Sequence, residues 1–196
     1  PHEQGLILVN GEFGNRLKNQ AKQWGLHVEC IDFGWGNEFQ MPQIESALQQ
    51  GNYHYMIFVH GETSNSTLNP LGPLLKLAQK YRVKLCSDCI SSFGALPFSM
   101  EGLHYATAVS GEALGTIAGL AFVFCRELPS TSEAPFYLNL PYYIEKQIPF
   151  TLPHFYIKEV SDALKAYPER YTVLEKRMEL VKNSGLPVKA TYPMIA

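Results

Sequence analysis

The amino-terminal half of the sequence alternates short apolar runs with longer amphipathic stretches, and this alternation restricts the fold more than any other feature. The runs, at 5–10, 27–33, 53–60 and 83–88, have the length of buried strands. The stretches between them carry apolar residues at helical spacing. Strands separated by helices of about 12 residues imply βαβ units, right-handed crossovers and a mostly parallel sheet. The sequence therefore predicts an α/β fold.

Local signals place the remaining elements of this fold. Gly25 is a typical stop for the first helix, and Pro42 suits the first turn of the second. Two further apolar runs, at 105–111 and 120–126, flank a glycine-spaced loop. We therefore predict a three-layer arrangement around a mostly parallel sheet of about six strands.

The pattern changes in the last third of the chain, which divides it into an α/β core at 1–126 and a second part at 127–196. The second part begins with an aromatic, proline-punctuated segment that has no clean period. Two amphipathic helices follow it, at 154–167 and 171–182, because Pro168 is expected to interrupt a single helix.

Composition excludes several classes of partner. Sixteen basic and eighteen acidic residues leave no broad positive field, so we expect no nucleic acid partner. No apolar run approaches the roughly 20 residues that a membrane span needs. The chain begins with Pro1 and no charged-then-apolar leader follows, which indicates no targeting segment and a processed, trimmed or excerpted chain.

The four cysteines each lie in or beside an apolar run. This placement favours reduced, packed thiols in a cytoplasmic protein over a disulfide framework. Cys86 and Cys89 form a CxxC motif, but at the end of a strand and without a second CxxC or paired histidines. We therefore expect no metal site and no redox centre.

Polar residues follow three of the predicted strands, where parallel sheets bind their ligands. The segments 60–64, 88–92 and 110–116 are expected to converge on one crevice. Asp88 ends an apolar strand, where a carboxylate is costly unless it meets a cation or several donors. It either holds a ligand, such as a protonated ring nitrogen, or forms a turn. Thr63 either donates a hydrogen bond to a ligand or is an ordinary polar loop residue.

Five groups of residues occur in the order, and at nearly the spacing, of one enzyme family. They are Val9-Asn10-Gly11-Glu12-Phe13-Gly14-Asn15-Arg16; His60-Gly61-Glu62-Thr63-Ser64 with Asn69-Pro70-Leu71; Ser87-Asp88 with Ser91-Ser92-Phe93-Gly94; Gly119-Leu120-Ala121-Phe122; and Phe150-Thr151-Leu152-Pro153. With them the chain resembles the class V, fold-type I aminotransferases that use pyridoxal phosphate, especially 2-aminoethylphosphonate–pyruvate and alanine–glyoxylate transaminases. The resemblance implies the large domain of that fold, truncated at both ends, with the run at 120–126 antiparallel.

The resemblance also implies roles for particular residues. Asp88 matches the acid that keeps the pyridine nitrogen of the cofactor protonated, which makes the ring an electron sink. Ile90 matches an apolar side chain on one ring face, and Thr63 matches a hydroxyl near the phenolic oxygen. Thr151 matches a residue that reaches the phosphate of the neighbouring subunit's cofactor, so a homodimer is implied. The implied ligand is a small amino or oxo acid.

The sequence departs from the family at the centre of its chemistry. An alignment without gaps from Gly119 back to Ser110 places Glu112 where the family has the lysine that forms the Schiff base. A carboxylate can neither form that linkage nor replace the amine as a proton shuttle. No lysine lies between Lys84 and Lys146. The sequence therefore predicts an aminotransferase-like protein that is impaired or inactive as this chain, or else a non-catalytic scaffold for ligand binding or subunit assembly.

Two further parts of the family pattern are missing from the sequence. The turn that binds the cofactor phosphate lies upstream of the matched region, and most of the small domain that supplies the substrate arginine lies downstream. A second polypeptide that supplies these parts is therefore an expected alternative to a second copy of the chain.

Overall fold

A computed structural model describes residues 3–129, 134–147, 151 and 153–185, and its main feature is a six-stranded sheet. The strands in chain order are β1 (Gly5–Val9), β2 (Val28–Asp32), β3 (Tyr55–Val59), β4 (Gly61–Glu62), β5 (Thr67–Leu68), β6 (Lys84–Asp88), β7 (Tyr105–Val109) and β8 (Ala121–Cys125). The large sheet has the order β2-β1-β3-β6-β7-β8, and β4 pairs with β5 in a separate hairpin. Neighbours are parallel except β7 and β8, which confirms the predicted mostly parallel α/β fold.

The helices cover both faces of the sheet. They are α1 (Glu12–Gln23), α2 (Met41–Gln50), α3 (Leu71–Tyr81), α4 (Leu140–Lys146) and α5 (His154–Asn183). Ile44 of α2 and Leu74 of α3 are fully buried against Leu6, Met56 and other residues of one sheet face. On the other face, Ala21 of α1 packs against Ile7 and Val9. The result is the three-layer arrangement that the sequence predicts.

The carboxyl-terminal helices differ from the prediction. Residues 154–183 form one continuous helix, α5, and Pro168 lies inside it, so the predicted pair of helices is wrong. A proline removes one intrahelical hydrogen bond, and the helix nevertheless continues on both sides of Pro168. The aromatic segment also contains a short helix, α4, whose first turn is capped by the Asn139 side chain, which accepts a hydrogen bond from Tyr142 N at 3.2 Å.

The two edges of the sheet differ in charge. The edge strand β2 carries Glu29 and Asp32, and charged side chains of this kind discourage further strand pairing. The edge strand β8 carries no charge and pairs only with β7 among the described residues. Its Val123 and Phe124 are 43% and 38% exposed. β8 is therefore the open edge of the sheet. None of the described helices has a stretch long and apolar enough to cross a membrane.

Candidate functional site

The carboxyl ends of β3 and β6 are joined by side-chain hydrogen bonds. Ser91 Oγ donates to the Gly61 carbonyl at 2.6 Å, and His60 Nδ1 lies 2.9 Å from Ser92 Oγ. The backbone continues the connection, because His60 N donates to the Asp88 carbonyl at 2.8 Å. The segments 60–64 and 88–92 therefore form one wall of a crevice, as the sequence predicts.

The third segment, 110–116, reaches the same place through a close backbone approach. Gly94 has a φ of +84°, and a Cβ added there would lie 3.0 Å from Leu114 N. Only glycine combines that φ with that contact at no steric cost. Ser110 is buried and holds the base of the loop, donating to the Ile117 carbonyl at 2.7 Å and accepting from Leu120 N at 3.2 Å. The structure thus brings all three segments together.

Asp88 lies in the middle of this edge, between Val59 of β3 and Thr107 of β7 in the strand register. Its Oδ1 accepts from Ile90 N at 2.9 Å and from Thr107 Oγ1 at 3.4 Å. Within the described part of the chain, Oδ2 has no hydrogen bond. Burial raises the pKa of the Asp88 carboxyl above its ordinary value, against the lowering by those two donors. One oxygen therefore forms the turn, and the other remains able to bind a cation.

Because burial disfavours the charged form of Asp88, the stability of the protein should depend on pH. Because the pKa of Asp88 is higher in the folded than in the unfolded state, its contribution to stability is greatest at acidic pH and is lost as pH rises through the folded pKa. We expect Asp88→Asn, which keeps an acceptor for Ile90 N, to be at least as stable as the wild type at neutral pH. Asp88→Ala should be about 1 kcal/mol less stable than Asp88→Asn. Urea unfolding across pH tests both, and a wild type more stable than Asp88→Asn at neutral pH would contradict the first.

Thr63 is half-buried, and its hydroxyl has no hydrogen bond within the part of the chain that the structure describes. The side chains of both neighbouring residues, Glu62 and Ser64, form hydrogen bonds. Glu62 is fully buried, and its carboxylate accepts from Phe13 N at 3.3 Å and from Gly14 N at 3.0 Å. Ser64 Oγ donates to Glu62 Oε1 at 2.5 Å. Sequence reasoning placed Glu62 in a polar loop and missed this buried carboxylate.

His60 is a packed residue rather than a ligand-binding group. It is buried, with its ring 6.4 Å from that of Phe58 and 4.7 Å from that of Phe98, both edge to face. Burial lowers the pKa of His60 to about 4, so the ring is neutral at physiological pH. Its contact with Ser92 orients the turn after Asp88.

The three remaining predicted site residues, Ile90, Glu112 and Thr151, lie in three different parts of the chain. Ile90 is half-buried in the Asp88 turn. Glu112 is exposed and lines a groove of about 610 Å³ between its loop and α5, together with Ser91 and Arg170. Thr151 is exposed, and its motif neighbours at 150 and 152 lie outside the described residues.

The two cysteines of the CxxC motif are free thiols, of which Cys86 is half-buried and Cys89 is buried. Burial raises the pKa of Cys86 to about 11 and also raises that of Cys89, which disfavours a reactive thiolate. Within the described ranges, no group of three or more His, Cys, Asp or Glu side chains is arranged to hold a metal ion. Cys30 is exposed, so the prediction that every thiol is packed is wrong for this one.

Similarity to known proteins connects this site to an enzyme family. No family model matches the chain. The 2-aminoethylphosphonate–pyruvate transaminase of Klebsiella pneumoniae is 31% identical over 130 residues, which cover 64% of this chain and 35% of the relative. The Pseudomonas fluorescens protein of the same name is 27% identical over an alignment of 217 residues that covers 97% of this chain and 59% of the relative. The chain is a relative of the class V aminotransferases.

Solved structures show the same fold. The alanine–glyoxylate aminotransferase of Nostoc sp. has a TM-score of 0.83 at 24% identity, covering 98% of this chain and 58% of that one. The aspartate aminotransferase of Thermus thermophilus has a TM-score of 0.81 at 21% identity, covering all of this chain and 60% of that one. The chain spans only part of the length of the two curated relatives, 35% of the Klebsiella pneumoniae protein and 59% of the Pseudomonas fluorescens protein.

Proposed function

We propose that the chain is an aminotransferase-like protein that holds the ring of pyridoxal phosphate but does not carry out amino transfer as this chain alone. The family reaction moves an amino group from an amino donor to a 2-oxo acid. The observation that carries the proposal is the contrast between two carboxylates. Asp88 has one carboxylate oxygen without a hydrogen bond among the described residues, at the carboxyl edge of the sheet, while the gap-free alignment puts Glu112 at the position of the family's lysine.

The residues around Asp88 fit the ring of this cofactor. A carboxylate whose pKa is raised by burial gains from pairing with a protonated ring nitrogen, and Oδ2 is available for that pair. Thr63 offers a hydroxyl on the adjoining loop, and Ile90 offers an apolar side chain in the same turn. When bound, the cofactor supplies an electron sink for carbanion chemistry.

The residues around Glu112 do not fit the covalent part of that chemistry. The described residues that line its groove include Glu169, Arg170 and Arg177, and no lysine is among them. A carboxylate forms no imine, and a guanidinium, which stays protonated, is not a substitute for the amine. The described residues of this groove therefore supply no group for the covalent step.

Ligand binding tests the proposal. We expect the protein to bind pyridoxal phosphate reversibly and Asp88→Asn to weaken binding about tenfold, since a charge-assisted hydrogen bond becomes a neutral one. Calorimetric titration measures the affinity. After borohydride treatment, peptide mapping should find no specific lysine adduct in the crevice. A stoichiometric adduct there, or equal affinity of Asp88→Asn and wild type, contradicts the proposal.

A scaffold that serves subunit assembly is the second candidate, and the open edge at β8 is the observation that favours it. An uncharged edge strand is suited to pairing with another strand. The partner is either a second copy, in which Thr151 reaches the neighbouring subunit, or a polypeptide that supplies the missing parts. The titration separates the two candidates, because a scaffold alone requires no affinity for the cofactor ring.

A further inference from the structure

The first turn of α1 is capped by a distant loop rather than by its own N-cap residue. Gly11 occupies the N-cap position and has no side chain to offer. Glu12 N donates to Ser64 Oγ at 3.1 Å, and Phe13 N and Gly14 N donate to the Glu62 carboxylate. Three successive amides of the helix therefore bind the two residues on either side of Thr63.

The packing around this contact leaves little freedom. A Cβ added at Gly11 would lie 2.4 Å from Glu62 Cγ and Cδ, so the carboxylate fills the space that an N-cap side chain would use. On the far side of Thr63, Asn65 Nδ2 donates to the Asn10 carbonyl at 2.7 Å. On the near side, the Gly61 carbonyl accepts from Ser91 Oγ at 2.6 Å. The loop is thus held between α1 and the turn that follows Asp88.

We propose that Glu62 and Ser64 are positioning residues that fix the Thr63 hydroxyl toward a ligand bound at Asp88. This inference rests on the proposed ring binding at Asp88. A helix with its own Ser, Thr, Asn or Asp cap would satisfy the same amides and leave the loop free. In this chain the cap bonds immobilise the backbone on both sides of Thr63. Ligand binding at Asp88 therefore does not have to order this loop, and the affinity is not reduced by the entropy of ordering it.

A double-mutant cycle on ligand affinity tests the coupling, with pyridoxamine 5′-phosphate as the probe because it binds without a covalent bond. We expect Ser64→Ala and Thr63→Val each to weaken binding about fivefold, the value of one hydrogen bond. The double variant should bind no more weakly than Thr63→Val, because Ser64 acts through Thr63. Ser64→Thr, which keeps the hydroxyl, should restore affinity. Additive losses in the double variant overturn the proposal.

Hydrogen exchange gives a second readout that needs no ligand. The Asn65 amide donates to the Glu62 carbonyl at 3.4 Å and so closes the turn that contains Thr63. Ser64→Ala should raise the exchange rate of the Asn65 amide about tenfold while exchange in the core strands stays unchanged. Ser99→Ala is the matched control, since Ser99 Oγ also accepts from a backbone amide, that of Glu101 at 3.1 Å, in a loop elsewhere. If the wild type binds no probe, the proposed function fails and exchange alone decides the positioning role. Unchanged exchange at the Asn65 amide overturns that role.

Discussion

Glu112→Lys should convert reversible binding of pyridoxal phosphate into a covalent, borohydride-reducible linkage at residue 112. The position follows the buried Ser110 at the end of β7 and opens on the groove beside Ser91. An amine placed there meets the aldehyde of a ring held by Asp88, whereas a carboxylate has no reaction with it. We expect the reduced adduct to rise from none to about one per chain, measured by intact mass and peptide mapping.

Two variants show whether this result depends on position. Glu169→Lys places an amine on the α5 side of the same groove and should give no comparable adduct. Adding Asp88→Asn to Glu112→Lys should slow adduct formation about tenfold, because the ring is held less tightly. Equal labelling of the two lysine variants would mean that Glu112 does not occupy the family's lysine position.

Local patterns explain why the sheet could be predicted from the sequence. The apolar runs and helical spacings that define β1, α1, β2 and β3 act within single elements, so the βαβ order and the carboxyl-edge crevice follow from them. The sequence leaves two interpretations of Asp88 open. The structure shows the turn, in which one oxygen accepts from Ile90 N, and ligand binding by the other oxygen stays a prediction. Geometry at the level of single oxygen atoms is not encoded in spacing.

The external cap of α1 could not be predicted in the same way. Phe13 and Gly14 lie 49 and 48 residues from Glu62, and the hairpin β4–β5 that brings them together is short and polar. One signal was available, because the N-cap residue of α1 is Gly11, which has no side chain with which to cap the helix. The missing cap indicates that another segment must satisfy those amides, but not which segment.

Glu62→Ala should lower the free energy of unfolding by about 3 kcal/mol, because two buried amides lose their acceptor and a cavity opens beside them. Urea unfolding monitored by circular dichroism measures the change. The exposed Glu38 offers a control on the loop before α2, and Glu38→Ala should change stability by less than about 0.5 kcal/mol. A loss below about 1 kcal/mol for Glu62→Ala would mean that water replaces the carboxylate at the helix start.

Gly11→Ser tests whether Glu62 occupies the cap position of α1. Gly11 has a φ of −170°, extended backbone that any residue adopts, so only space prevents a side chain there. In the wild type the serine meets Glu62 and should destabilise the protein by about 1–3 kcal/mol. In the Glu62→Ala background the two closest contacts of that Cβ are removed, although Asn65 Nδ2, 2.8 Å away, must still shift. The serine can then cap α1 itself, so Gly11→Ser should cost about 1 kcal/mol less than in the wild type. Gly11→Ser that destabilises both backgrounds equally would show that Glu62 is not the cap of α1.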